Sequence, residues 1–241
     1  MDGIGIQVLN VSKKLGANQA LDDVSLNFEA GHMHGLIGPE GAGKTTLLRL
    51  MINLLRPNLG SIQYTRDGNA ITFEKVKGVV AYMPQQQSLY GDLSIDEHLE
   101  FFRDLYSIPK DQYQQTRSEL LEITRLDKFV DRIASKLSGG MYKKLGLMCS
   151  LLRSPEVLLL DEPTNGIDPI SRREFWDLLY RLADKKILII IATAYLDEAE
   201  RCSRVHLIDA GKTLLEGEPR ELLIKESVAN FDALFIARAK S

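Results

Sequence analysis

From Gly38 to Thr46 the chain reads Gly38-Pro39-Glu40-Gly41-Ala42-Gly43-Lys44-Thr45-Thr46, a match to G-x-x-x-x-G-K-[ST]. Glycines at the first, fourth and sixth places leave the backbone free of Cβ atoms, so successive N–H groups can wrap an anion. Lys44 adds a mobile positive charge for outer phosphates, and the Thr45 hydroxyl suits Mg²⁺. Apolar Leu36-Ile37 precedes the loop as a strand. Leu47, Leu48, Leu50 and Met51 follow as a helix, whose positive N-terminus then points at the phosphates. The alternative is a chance glycine-rich turn. At a glycine usage of roughly 7%, the fixed positions coincide in about one chain in a hundred. By itself the loop implies a nucleoside triphosphate and no more.

Holding Mg²⁺ beside a triphosphate takes a further carboxylate, and hydrolysis takes a group that orients water. Asp161 and Glu162 end the apolar run Val157-Leu158-Leu159-Leu160. Asp161 is expected to reach Mg²⁺ through water, and Glu162 to polarise the attacking water. An ordinary acidic pair at a strand end is the bland alternative. A second anion cradle is expected at Leu137-Ser138-Gly139-Gly140-Met141, where Ser138 caps a helix and the glycines expose N–H groups. On its own, that stretch is as well read as a plain helix start.

These groups need strands and helices to hold them. Ile4, Ile6 and Val8 alternate as a first strand and Val24, Leu26 and Phe28 as a second, with Lys13-Lys14-Leu15-Gly16 turning between them. A hairpin is expected from Ile62 and Tyr64 back through Ile71 and Phe73. Val79, Val80 and Tyr82 form another strand, ending at Pro84-Gln85. From Ser88 to about Leu152 the pattern is helical, with a Ser94/Glu97 capping box and a break at Pro109. Val157–Leu160 and Ile187–Thr193 read as strands buried on both faces. Asp168 caps a helix beginning at Pro169, a further helix is expected around Leu196 to Cys202, and 205–208 pairs with 213–215. His32 and His34 read as strand-edge polar residues, since no third metal ligand accompanies them. Strands alternating with helices imply a parallel sheet with its ligand at the carboxyl ends.

Composition narrows the function. The chain has 241 residues, 44% of them apolar, and a net charge of −3 with both signs intermixed. That argues against a broad nucleic-acid surface. Cys149 and Cys202 sit among apolar residues and read as reduced. No signal peptide opens the sequence, which predicts a cytoplasmic protein. The longest apolar run, 187–192, falls far short of the ~18 residues of a membrane span, so a membrane role must come through a partner.

The ordered set of phosphate loop, Gln85 after a strand, Leu137–Met141, Asp161-Glu162 and Gly166-Ile167-Asp168 resembles the ATP-binding cassette (ABC) ATPases over nearly the whole chain. The resemblance implies an α/β fold: a P-loop NTPase (RecA-like) core with an antiparallel β subdomain and an inserted helical subdomain. It treats 1–241 as one ABC ATPase domain. Core and β part cover 1–87 and 153–225, the helical subdomain 88–152, and a helical tail 226–241. The implied roles are triphosphate binding by Gly38 to Thr46, Mg²⁺ ligation by Thr45 and Gln85, and catalysis by Glu162. Ser138, Gly139 and Gly140 would contact ATP bound to a second ABC domain in a head-to-tail dimer, with Asp168 at the junction. The surface from Gln85 to Leu93, including Tyr90, resembles the part that docks on transmembrane permease subunits at the cytoplasmic face of the membrane. Tyr90 reads equally well as a core aromatic.

Two positions depart from that pattern. Ala194, in Ala192-Thr193-Ala194-Tyr195-Leu196-Asp197, stands where the family usually has a histidine that bonds the γ-phosphate. Slow hydrolysis at the chain's own loop is therefore expected. Leu15 stands where the family commonly stacks adenine on an aromatic residue, so weaker binding or relaxed base selectivity is expected. Glu40 and Met141 are smaller departures. An intact signature beside a weakened site is similar to the first ATPase domain of bacterial tandem ABC proteins, and the tail at Phe231–Ile236 resembles the end of drug-export ATPase domains. The leading expectation is an ATP-hydrolysing subunit, with ATP and Mg²⁺ as cofactors, that powers an exporter. The alternative is an ATP-binding interaction module with little hydrolysis, such as a cytosolic ribosome-associated ABC protein. A GTPase reading lacks an N-K-x-D segment.

Overall fold

The computed structural model describes residues 3–86 and 89–239. Gln87 and Ser88, which belong to the expected docking surface and helical subdomain, lie outside the described residues, as do the chain's first two and last two.

Two sheets carry the fold. In the first, β1 (Ile4–Leu15), β2 (Asn18–Phe28), β4 (Leu59–Arg66) and β5 (Asn69–Ile71) form an antiparallel sheet in the order β2-β1-β4-β5; β3 (Met33–Ile37) and α1 (Lys44–Met51) intervene in sequence. Ile4, Ile6 and Val8 face inward as their alternation requires. The pairing register shifts between Val8 and Val11, so Val11 also turns inward. β1 runs past the expected turn: Lys13 and Lys14 still pair with Leu21 and Gln19, and the chain reverses at Gly16-Ala17. The expected hairpin stops at Ile71, because Phe73 begins the short helix α2 (Phe73–Val76).

The second sheet includes β6 (Val80–Met83), β7 (Val157–Asp161), β8 (Leu188–Thr193), β9 (Arg204–Asp209) and β10 (Lys212–Gly217), in the order β10-β9-β3-β8-β7-β6. Strands β9, β3, β8, β7 and β6 run parallel, and β10 closes one edge antiparallel. The helices α3 (Ile95–Leu105), α4 (Lys110–Thr124) and α5 (Gly139–Leu151) lie between β6 and β7 in sequence, followed by α6 (Pro169–Ala183), α7 (Pro219–Lys225) and α8 (Phe231–Ala239).

Strand alternation divides the interior. Leu158, Leu160, Ile189 and Ile191 join one core with Met148, Phe175 and Trp176 from α5 and α6. Val157, Leu159, Leu188 and Ile190 face the opposite layer with Leu47 and Leu48 of α1 and the apolar face of β1 and β2. β7 and β8 are buried along their whole length, which is why their sequences run apolar without a break. The segment expected as a helix around Leu196 is a tighter 3-10 helix, Leu196–Arg201.

Both cysteines are free and buried, as expected. Burial pushes the Cys149 thiol up to about 12. His34 differs from expectation: it is fully buried, stacked on His206 at 5.3 Å, with Phe28 beside both rings. Its neighbours come from β2 and β9, distant in sequence, so nothing local marked it as interior. Among the described residues no three His, Cys, Asp or Glu side chains gather as a metal cluster.

Candidate functional site

Parallel strands deliver the chemistry to one edge. Gly38 follows β3, Asp161 ends β7 with Glu162 next, and Gln85 lies just past β6. The phosphate loop needs its glycines for specific reasons. A Cβ on Gly38 would lie 2.0 Å from the Ile208 carbonyl oxygen. Gly43 has φ +103, and a Cβ there would lie 2.4 Å from the Ala20 carbonyl oxygen. Gly43 also sits at the N-cap of α1, whose own first turn carries no acidic residue. Lys44 is buried. Its Nζ donates to the carbonyls of Gly38 at 2.7 Å and Pro39 at 2.9 Å, and lies 3.2 Å from Glu162 Oε1.

Asp161 is 1% exposed and accepts two O–H donors: Thr45 on Oδ1 at 2.9 Å and Tyr82 on Oδ2 at 3.0 Å. Glu162 adopts φ +48 and donates its N–H to the Ala192 carbonyl at 2.8 Å, which turns its side chain towards Lys44. Burial raises the Glu162 carboxyl above its ordinary value, against the opposing pull of Lys44 and the Ala194 N–H. That N–H donates to Glu162 Oε2 at 3.2 Å. Leu15, Glu40, Gly41, Thr46 and Gln85 line one cleft of about 320 Å³ together with Lys44, Thr45 and Glu162. Oxygen donors predominate around Thr45: a hydroxyl, a carboxylate behind it and the Gln85 amide. That set fits Mg²⁺, which takes few protein ligands and completes its shell with phosphates and waters.

The second anion cradle stands apart from the first. Ser138 Oγ caps α5 by accepting the Met141 N–H at 3.3 Å. Ser138 and Gly139 are exposed, and neither lines the cleft around Lys44. α5, like α1, has no acidic residue in its first turn. Gly140 is buried because a Cβ there would lie 2.4 Å from Ser171 Oγ. Asp168 caps α6 as expected, its Oδ1 accepting the N–H groups of Ile170 at 3.0 Å and Ser171 at 2.9 Å. Hydrogen bonds from Ser171 hold its carboxyl below the ordinary value. Tyr90 is 53% exposed with its ring against Phe101, so the core-aromatic reading is ruled out.

Several participants escaped the sequence. Asn18 and Ala20 line the cleft mouth beside Leu15. Lys143 Nζ donates to the Gln85 carbonyl at 3.1 Å, with the Glu162 carbonyl at 3.5 Å. Tyr82 lies 79 positions before its partner Asp161. A tyrosine three residues before Gln85, on the strand beside β7, was the one available signal.

The family model described as ABC transporter matches residues 21–165. The chain is 46% identical over 209 residues to "Probable multidrug ABC transporter ATP-binding protein YbhF" of Escherichia coli (strain K12), a match covering 84% of this chain and 35% of that protein. The chain thus spans about a third of that relative. It is 34% identical over 222 residues to Nod factor export ATP-binding protein I of Cupriavidus metallidurans, covering 92% of this chain and 73% of that one. A solved ATP-binding subunit of an ABC transporter superposes with a TM-score of 0.83 at 27% identity, over 97% of this chain and 99% of its own.

Proposed function

The chain belongs to the ABC transporter ATP-binding family, and from that premise we propose that it binds Mg²⁺–ATP in the cleft around Lys44 and hydrolyses it to drive export. The observation that carries this reading is the meeting of Lys44, Thr45, Asp161 and Glu162 at one sheet edge. Lys44 and the loop N–H groups bind the outer phosphates, while α1 directs its positive end at them. Mg²⁺, when bound, neutralises phosphate charge. Thr45 and Gln85 would hold it, and Asp161 would act through water. Glu162 is the general base. Its raised pKa makes it a better proton acceptor, and the Ala194 N–H orients one oxygen while leaving a lone pair for water.

Exposure of Ser138 and Gly139 away from the chain's own cleft supports a second role, in which α5 grips ATP held by another ABC domain. Two domains then meet head-to-tail, with Asp168 near the junction. The second domain is either another copy or a different one, in the same polypeptide or not. No helix among the described residues is long and apolar enough to cross a membrane. Coupling to transport goes through a permease component, docked on the exposed face around Tyr90 at the cytoplasmic side. The name of the C. metallidurans relative favours export.

Ala194 favours a slow site. Its methyl offers no donor to the γ-phosphate, and its N–H is engaged by Glu162. A low-turnover ATP clamp is the reading that this single residue supports. Phosphate release by the chain with Mg²⁺–ATP tests both. Turnover abolished by Glu162→Gln and raised about tenfold or more by Ala194→His is the result expected. An Ala194→His variant with unchanged turnover at saturating ATP overturns the slow-site reading. ATP binding that Lys44→Ala leaves intact overturns the site itself.

A further inference from the structure

Asp161 is gripped from two sides. The Thr45 hydroxyl reaches Oδ1 from α1 and the Tyr82 phenol reaches Oδ2 from β6, at 2.9 and 3.0 Å. A carboxylate with an O–H donor on each oxygen is fixed in rotation. Two hydrogen bonds thus link Thr45 on α1, Asp161 on β7 and Tyr82 on β6. Tyr82 also sits on the strand that leads directly into Gln85.

We propose that Tyr82 is a positioning residue for Mg²⁺, holding the Asp161 carboxylate at the angle from which it meets the metal's water. This inference rests on the nucleotide reading above. Mg²⁺ demands near-octahedral geometry and gives up water reluctantly, so a carboxylate acting through water must be fixed in advance. Loss of an outer partner of a directly bound ligand costs 10–100-fold in metal affinity. Asp161 is one water further out, and a smaller factor follows.

ATP binding by the full chain, titrated with Mg²⁺ and repeated in EDTA, tests the proposal without reference to turnover. Tyr82→Phe keeps the ring and removes only the phenolic donor. The Mg²⁺ concentration that half-strengthens ATP binding should rise about three- to tenfold, while ATP affinity in EDTA stays within about twofold. In an Asp161→Asn background the same substitution should move the midpoint no further. A purely structural tyrosine would lower the melting temperature and leave the Mg²⁺ midpoint in place, and that result overturns the proposal. Should Tyr82→Phe fold poorly, Tyr82→Met removes the same donor with a flexible side chain, and an unmoved midpoint there overturns it equally. Wild-type chain that binds ATP neither with nor without Mg²⁺ defeats the nucleotide reading and takes this inference with it. Wild-type binding that strengthens with Mg²⁺ while Tyr82→Phe matches it defeats this inference alone.

Discussion

Leu15 stands 44% exposed at the mouth of the nucleotide cleft, with Asn18 and Ala20 beside it. On the proposed reading, an aliphatic side chain there covers a base edge without stacking on it. An aromatic pair gains about 0.5–1.5 kcal/mol beyond area burial, so Leu15→Tyr should tighten ATP binding about two- to twelvefold, measured by equilibrium titration. Equal affinity of the two proteins would mean that Leu15 does not cover the base. Gly43 makes the opposite kind of prediction. With φ +103 and a backbone oxygen 2.4 Å from any Cβ, Gly43→Ala strains the loop itself and should lower the melting temperature as well as abolish ATP binding. Gly43 was legible from spacing alone, because a phosphate loop writes its backbone demands into nine consecutive residues, whereas Leu15 was marked only by the family resemblance. Tyr82 and Lys143 were legible in neither way, since their chemistry lies in contacts with residues far along the chain or on another element.

Helix ends were read well, and strand ends less so, for a physical reason. A capping box is a four-residue affair. Ser94 accepts the Glu97 N–H at 3.2 Å and Glu97 returns the bond to the Ser94 N–H at 2.7 Å, as their spacing requires. The end of β1 depends instead on a partner strand. Lys13 and Lys14 look like turn residues, yet pairing with Leu21 and Gln19 extends the strand to Leu15. The two serine caps yield a comparison. Ser94→Ala and Ser138→Ala should each cost about 1 kcal/mol in urea denaturation, since each removes one cap from one helix. Only Ser138→Ala should also weaken ATP-dependent pairing, sized in a Glu162→Gln background, because in the proposed dimer α5 is the helix that offers its N-terminus to a neighbour's phosphate. Equal pairing by the two variants would show that α5 merely begins at Ser138.

The antiparallel sheet and the central sheet are joined away from the nucleotide by a relay of rings, and that joint sets how the whole molecule answers acid. His34 Nε2 lies 3.1 Å from the Glu29 backbone nitrogen and 3.3 Å from the Glu29 carbonyl oxygen. Nδ1 faces His206 Nε2 at 3.1 Å, and His206 Nδ1 faces Glu216 Oε2 at 3.2 Å. Glu29 follows β2, His34 lies on β3, His206 on β9 and Glu216 on β10. Burial, then His206, and with them His32 and Arg204 depress the His34 pKa from 6.5 to about 3, outweighing the Glu29 backbone contact that favours the charged form. The folded ring therefore stays neutral where the unfolded one takes up a proton. Stability must fall as pH drops below about 6.5, and continue falling towards about 3. Between pH 7 and pH 5 the loss should be about 2 kcal/mol, read as a lower urea midpoint with an unchanged slope. The Glu216 carboxyl, held low chiefly by its hydrogen bond from His206, acts in the same direction but only in more acid solution. Replacing both rings by leucine, His34→Leu with His206→Leu, removes the His34 ring and its partner while keeping the joint apolar. That variant should show a nearly flat midpoint from pH 7 to pH 5. A wild-type midpoint equally flat over that range would mean that the relay admits a proton without loosening the two sheets.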